Sequence, residues 1–269
     1  MTRDVWLARH PYLRPLADLH AVIDSSADEI VVPTQFIPEW KEYLDDFISG
    51  VPLLLSSSGG IDLGPAEAML PALVQKLASG RLPGDVMHQI TVLGAELQSN
   101  ADSSGRALTW LLDKGSFSTP HPGLLQYLGW TVLSRYLSRV VGAFANWRDE
   151  ERWLRNYCPT CGSPPNMAQF VGVEPDRRRL LCCGCCATRW RYRRTQCPFC
   201  ERDEHKLAGF AIEGSPLRID YCDECGGYLK THHGESSETL LLADWMSIHL
   251  DVVARDQGLK RLAGSLYQF

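Results

Sequence analysis

Eight cysteines in the C-terminal half stand as four Cys-x-x-Cys pairs: Cys158 and Cys161, Cys183 and Cys186, Cys197 and Cys200, Cys222 and Cys225. Thiolates so spaced are metal ligands when a tight turn holds them, because one pair then spans one edge of a coordination tetrahedron. The gaps between successive pairs are 21, 10 and 21 residues, so the pattern is a duplication. Each half has the two-knuckle spacing of a zinc ribbon or rubredoxin-like site. Sequential pairing gives one site from Cys158, Cys161, Cys183 and Cys186 and a second from Cys197, Cys200, Cys222 and Cys225. Two metal ions per chain follow, iron or zinc, since tetrahedral thiolate suits both.

The residues around the thiols support this chemistry. In Cys158-Pro159-Thr160-Cys161-Gly162 the proline sets the turn, and the glycine permits the positive φ that brings backbone N–H groups to the sulfurs. Cys197-Pro198-Phe199-Cys200 and Cys222-Asp223-Glu224-Cys225-Gly226 are variants of the same knuckle. A β-hairpin is expected between the knuckles of each module. In the first, Met167 to Val173 leads through Glu174-Pro175-Asp176 to Arg179–Cys182; in the second, Leu207 to Ile212 leads to Leu217–Tyr221. A crossed pairing of knuckles is the alternative, and equal spacing argues against it. Cys182 and Cys185 also form a Cys-x-x-Cys pair, but choosing them would destroy the repeat, so they are read as spare thiols. His205, His232 and His233 lie close enough to be substitute ligands, yet four cysteines already fill each tetrahedron.

A disulfide framework is the competing use of ten cysteines, and its context is missing. The N-terminal Met-Thr-Arg-Asp-Val-Trp-Leu-Ala-Arg has no apolar core of a secretory signal, and the most apolar stretch, Leu124 to Phe144, carries Arg135 and Arg139. A cytoplasmic protein without membrane insertion is expected, in a compartment where thiols stay reduced.

Elements that must position the sites follow from the rest of the 269 residues, of which 45% are hydrophobic. Cysteine is absent before residue 158, and residues 1–150 hold 11 Lys+Arg against 17 Asp+Glu, leaving 16 against 15 in the remainder. The expected fold class is α+β. An all-helical domain over 1–150 precedes a first four-cysteine ribbon over 151–195, a second over 196–235, and a C-terminal helix over 236–269 that packs on the rest. Val86, Ile90, Leu93 and Leu97 give one helical face. Trp130, Leu133, Leu137, Val140 and Phe144, widened by Leu125, Leu128 and Val132, give the central helix. Prolines from Pro11 to Pro83 predict short or irregular helices before it. Leu241, Trp245, Ile248 and Val252 mark the buried face of the last helix, capped by Ser236 or Ser237 and stopped at Gly258. Ser56-Ser57-Ser58-Gly59-Gly60 lacks the Gly-Lys-Ser/Thr ending of a phosphate loop and reads as a plain loop. No nucleophile elbow, His-Glu-x-x-His or dinucleotide fingerprint is present.

Taken together, Cys158-Pro-Thr-Cys161-Gly-Ser-Pro-Pro, Cys183-Gly-Cys-Cys186 with Thr188-Arg-Trp190, Cys197-Pro-Phe-Cys200 and Cys222-Asp-Glu-Cys225-Gly-Gly-Tyr228-Leu-Lys230 resemble the formate dehydrogenase accessory protein family, FdhE. The resemblance covers roughly residues 150–235. It implies a cytoplasmic maturation protein, not itself an enzyme, that binds the catalytic subunit of a molybdenum or tungsten formate dehydrogenase. It also implies iron as an occupant of the sites.

Two other functions compete. Residues 177–206 hold nine Lys+Arg against three Asp+Glu and include Arg189-Trp190-Arg191-Tyr192-Arg193-Arg194, the alternation of a nucleic-acid-binding zinc ribbon. Two zinc tetrathiolates would turn the +1 of residues 151–269 into about −3, which argues against a strong phosphate-binding field. A thiol–disulfide oxidoreductase using Cys182 and Cys185 lacks the βαβ context. The same arginine-rich strand, Arg189 to Arg194 with Trp190 and Tyr192, together with the knuckle tips, is also the expected contact surface for a protein partner.

Overall fold

Helical periodicity in the first half and hairpin signals in the second produce the elements they predict. The computed structural model describes residues 3–34, 36–112, 115–173, 175–202, 207–211, 216–233 and 244–265. The helices are α1 (Arg3–Arg9), α2 (Arg14–Asp28), α3 (Trp40–Ser49), α4 (Gly64–Ala78), α5 (Gly84–Gln98), α6 (Ser103–Leu111), α7 (Pro122–Trp147), α8 (Glu150–Trp153) and α9 (Ile248–Asp256). The strands are β1 (Met167–Val171), β2 (Arg178–Cys182), β3 (Arg189–Tyr192), β4 (Leu207–Ala211), β5 (Leu217–Cys222) and β6 (Tyr228–His233). No helix among the described residues is long and apolar enough to cross a membrane.

The chain separates into two compact units, 1–35 with 62–137, and 36–61 with 138–267. In the first, α4 packs on α2, α5 and α6. Ile90, Leu93 and Leu97 of α5 are buried as their spacing predicts, and so are Leu125, Leu128, Trp130, Val132, Leu133 and Leu137 of α7. The prolines interrupt less than expected. Pro15 and Pro65 sit in the first turns of α2 and α4, where a missing N–H costs nothing, and α4 runs on through Pro71.

The second unit does not follow the sequence boundary near residue 150. It draws in 36–61 because that segment is bonded to the first knuckle and to an aromatic cluster. Trp40 stacks on Trp147 at 5.3 Å, and Phe47 stacks on Trp153 at 5.4 Å. Beyond it the two ribbons are not separate bodies. Their strands form one six-stranded sheet in the order β3-β2-β1-β6-β5-β4. Each ribbon is internally antiparallel, and the two join through a parallel β1–β6 ladder that sets Met167 opposite Lys230 and Phe170 opposite His233. Separate hairpins leave such edges open, and joining them satisfies both.

One face of this sheet carries Met167, Cys182, Leu217, Ile219 and Tyr228, which pack with Leu250 and Ala254 of α9. The C-terminal helix therefore packs back as expected, but by a different face. Val252 is exposed, while Leu250, Asp251 and Ala254 are buried. The reason is a break at Ser247, the N-cap of α9, which ends the phase that Trp245 belongs to. Gly258, with φ 76°, does terminate α9, and Leu259 N donates to Ala254 O at 2.9 Å. Leu241, Ser236 and Ser237 lie outside the described residues.

Candidate metal centres

All four Cys-x-x-Cys pairs fold into the same turn. The first cysteine donates its N–H to the carbonyl five residues on: Cys158 to Ser163, Cys183 to Thr188, Cys197 to Arg202, each at 2.9 Å, and Cys222 to Gly227 at 3.0 Å. The residue just after the second cysteine is left-handed every time, with φ 84° at Gly162, 60° at Ala187, 58° at Glu201 and 69° at Gly226. Glycine was legible at two of these positions; alanine and glutamate at the others gave no signal. The pattern also bears on the register, since the left-handed turn follows Cys186 rather than Cys185.

These turns bring the thiols together in two groups, Cys158, Cys161, Cys183, Cys186 and Cys197, Cys200, Cys222, Cys225. Within each, the sulfurs lie within 4.8 Å of one another, which is the sequential pairing and not the crossed one. In the first cage Cys158 Sγ is 3.5 Å from Cys186 Sγ, and Cys161 Sγ is 3.4 Å from Cys183 Sγ and 3.7 Å from Cys186 Sγ. In the second, Cys197 to Cys225 is 3.8 Å and Cys200 to Cys222 is 3.7 Å. A tetrahedral ion with metal–sulfur bonds of about 2.3 Å sets its sulfurs about 3.8 Å apart, so both cages fit such an ion. A disulfide would need about 2.05 Å, and all ten cysteines are free of cross-links.

Electrostatics point the same way. Burial pushes the Cys183 and Cys186 thiols well up, while the side-chain hydrogen bond with Cys158, then those with Cys183, Cys185 and Cys186, pulls Cys161 well down. Burial pushes Cys197 up to about 12. Burial also acts to raise Cys222, but the backbone N–H groups of Cys225 and Glu224 and the Cys200 side chain outweigh it and lower the thiol. One negative charge is readily shared within such a cage, whereas four mutually repelling thiolates require a cation among them.

Second contacts steady the sulfurs. Thr188 Oγ1 lies 3.1 Å from Cys186 Sγ and 2.8 Å from Thr160 Oγ1, tying the two knuckles of the first cage together. Phe199 N and Gly227 N donate to Cys197 Sγ and Cys225 Sγ, each at 3.4 Å. The first knuckle has a further support that no spacing reveals. Leu53 N donates to Pro159 O at 2.9 Å, Leu54 N to Thr160 O at 2.8 Å, and Tyr157 Oη to Gly50 O at 2.8 Å.

The second cage has its own clamp. Lys260 N donates to Gly226 O at 2.7 Å, and Tyr228 N to Lys260 O at 3.1 Å. A Cβ on Gly227 would stand 2.7 Å from Leu262 Cδ1 and 2.9 Å from Phe199 Cδ2, so a side chain here would force both neighbours to shift. Just beyond it, Tyr228 and Lys230 point to the same sheet face. Tyr228 Oη donates to Asp251 Oδ1 at 2.8 Å, and Lys230 Nζ meets Asp251 Oδ2 at 2.7 Å and Asp244 Oδ1 at 2.5 Å. Arg261 completes the square on Asp244 at 2.8 Å and Asp251 at 2.6 Å. The Tyr-x-Lys motif was visible in the sequence; its partners Asp244, Asp251 and Arg261 were not.

The remaining candidates fall elsewhere. Cys182 lies in the apolar cluster under α9, where burial pushes its thiol up to about 12 against the lowering effect of Arg189. Cys185 is buried beside the first cage and hydrogen-bonds Cys161, outside the four-sulfur set. His232 and His233 lie on β6 and belong to neither sulfur cluster, and His205 lies outside the described residues. Trp190 and Tyr192 are buried, so they are not contact residues; Trp190 Nε1 donates to Arg155 O at 2.9 Å. Arg191 pairs with Glu151, and its N–H donates to Glu150 Oε2 at 3.0 Å.

No protein-family model matches the chain. It is 32% identical over 222 residues to "Protein FdhE homolog" of Stutzerimonas stutzeri (strain A1501), an alignment covering 74% of this chain and 66% of that one. It is 30% identical over 137 residues to "Protein FdhE" of Escherichia coli O9:H4 (strain HS), covering 49% of this chain and 44% of that one. The chain therefore spans less than two thirds of the length of these curated relatives. The crystal structure of the FdhE protein from Pseudomonas aeruginosa superposes with a TM-score of 0.66 at 24% identity, covering 95% of this chain and 88% of that one, and shows the same fold.

Proposed function

The chain belongs to the FdhE family, and from that membership we propose that it is an accessory protein for the maturation of a molybdenum or tungsten formate dehydrogenase. It acts by binding the catalytic subunit, in the cytoplasm, and is not itself an enzyme. The observation that carries this reading is the pair of four-sulfur cages of near-tetrahedral spacing on a fold shared with an FdhE protein. Cys158, Cys161, Cys183 and Cys186 hold one metal ion, and Cys197, Cys200, Cys222 and Cys225 hold the other. Zinc would tie the knuckles together; iron would do the same and supply one-electron chemistry. Reduced thiols are needed to load either metal, which supports a cytoplasmic setting.

The protein's own residues supply rigidity. Knuckles closed by Leu53, Leu54, Thr160 and Thr188 in the first cage, and by Lys260 and Gly227 in the second, present their tips at little ordering cost. The tips of the second cage, with half-buried Phe199 and exposed Glu201, Arg202, Asp223 and Glu224, are the contact surface for the catalytic subunit. The nucleic-acid reading loses its stacking platform, because Trp190 and Tyr192 are buried.

Deleting the gene tests the proposal. Formate oxidation should be lost while the dehydrogenase polypeptide is still made, and a tagged copy should co-purify the catalytic subunit. Normal formate oxidation in the deletion strain would overturn the functional claim. Elemental analysis of anaerobically purified protein identifies the metal, with two ions per chain expected.

A further inference from the structure

The sheet face opposite α9 holds a concavity of about 310 Å³ with four arginines in its wall, Arg177, Arg179, Arg194 and Arg218. They come from separate parts of both ribbons and meet only because β1 and β6 join them into one sheet. In register, Phe170 of β1 lies opposite Arg179 of β2 on one side and His233 of β6 on the other. Arg177 and Arg194 stand over the Phe170 ring at 6.0 and 5.8 Å from its centroid. Asp220 in the same wall is engaged by Arg218 Nε at 2.6 Å.

Arg179 is the most telling of them. It is 3% exposed; its Nη1 donates to Gln196 O at 3.0 Å, but its Nε has no hydrogen-bond partner, and it makes no ion pair among the described residues. Burial accordingly lowers its proton affinity, with Asp220 only partly opposing. A guanidinium does not give up its proton in proteins, so a charge desolvated in this way gains from any anion that reaches it. Gly209 leaves room for the arrangement. It faces Asp220 across β4–β5, and a Cβ there would stand 2.0 Å from Arg218 Nη2 and 2.7 Å from Asp220 Oδ1.

We propose that this concavity binds a compact multivalent oxyanion, with Arg179 and Arg218 at the base and Arg177 and Arg194 at the rim. Its volume is at the small end of ligand pockets, which suits a diphosphate or a tricarboxylate. Guanidinium forks match phosphate and carboxylate oxygens alike. The site is independent of which metal fills the sulfur cages, and it differs from the arginine-rich strand Arg189–Arg194 in that only Arg194 contributes to it.

Calorimetric titration of the purified, metal-loaded full chain with pyrophosphate and, separately, citrate at fixed ionic strength tests the assignment. At least one anion should bind with Kd below about 1 mM. Tighter pyrophosphate assigns a phosphoryl ligand, and tighter citrate a polycarboxylate. Arg194→Gln and Arg218→Gln should each weaken the better anion by about tenfold or more with metal content unchanged. Gly209→Val, which fills the space under Arg218 without removing a charge, should do the same. Arg178→Gln, an exposed neighbour whose strand position faces away from the concavity, should bind as the unaltered protein does. Failure of both anions to bind, or an equal loss in Arg178→Gln, overturns the proposal.

Discussion

The two sulfur cages share one turn geometry and one spacing, yet differ in what surrounds them. All four cysteines of the first are buried; in the second, Cys200 and Cys225 are half-exposed. The first is walled by a helical segment more than a hundred residues upstream in sequence, through Leu53, Leu54 and Gly50. The second is walled by residues downstream, through Lys260 and Leu262. A duplicated module is thus made into two unlike sites by its neighbours rather than by its ligands. The enclosed cage is suited to permanent structure and the open one to exchange with solvent or a partner.

Ligand removal should separate them most sharply. Structural tetrathiolate zinc carries about 10–16 kcal/mol of apparent binding free energy in small fingers, so Cys161→Ser should lose the first metal and unfold the ribbon that β1, β6 and the 36–61 segment depend on. Cys200→Ser should lose one metal and keep the other. Metal content and far-ultraviolet circular dichroism read both, and equal damage in the two variants would erase the distinction. In the unaltered protein a chelator should strip the second cage first. Cys182→Ala should retain two metals, because that thiol belongs to the core under α9.

The clamp of the second cage ranks next. Removing one partner of a buried ion pair leaves the other charge uncompensated, at about 3–5 kcal/mol, so Lys230→Met should lower the denaturation midpoint and speed release of the second metal while sparing the first. Burial raises the Asp244 pKa, but Lys230 and Arg261 outweigh it and hold the carboxyl well below its usual range. A folded pKa below the unfolded one gives stability that is present at neutral pH and lost as pH falls below about 4. Asp244→Asn should remove that acid-dependent component, measured as the slope of unfolding free energy against pH. A slope unchanged in the variant would mean that the clamp does not contribute.

The smallest effect concerns the turns themselves. Ala187 and Glu201 occupy left-handed backbone, which costs an L-residue about 1–2 kcal/mol, whereas their counterparts are Gly162 and Gly226. After the entropy that glycine loses on folding, Ala187→Gly and Glu201→Gly should each stabilise the chain by roughly 0.5–1 kcal/mol. A rise of about 2–4 °C per kcal/mol in thermal midpoint is the measurement. A fall at either position would show that its side chain matters more than its backbone.

What could be read from the sequence was local. Knuckle spacing, hairpins and the apolar stripe from Leu125 to Phe144 are short-range patterns, and each is found where it was expected. What could not be read was pairing at a distance. Nothing at Leu53 announces that its N–H will meet Pro159, and nothing in Phe170 or His233 marks the parallel ladder that fuses the ribbons. The last helix ends at Gly258 as its sequence predicts, but it buries a different face, because Ser247 begins a new helical turn within an apolar pattern that reads as continuous.

The strand order has a consequence of its own. Each ribbon contributes its third strand at one edge and its first at the other, so the two are stacked in the same sense, as by a translation, and not face to face about a twofold axis. A sheet assembled that way has a front and a back. Its β3 end is closed where Arg191 N donates to Glu150, and its β4 end holds the Gly209 that leaves space for Arg218. Two copies of one motif in this arrangement can never exchange roles: direction, which neither copy possesses alone, is a property of their order.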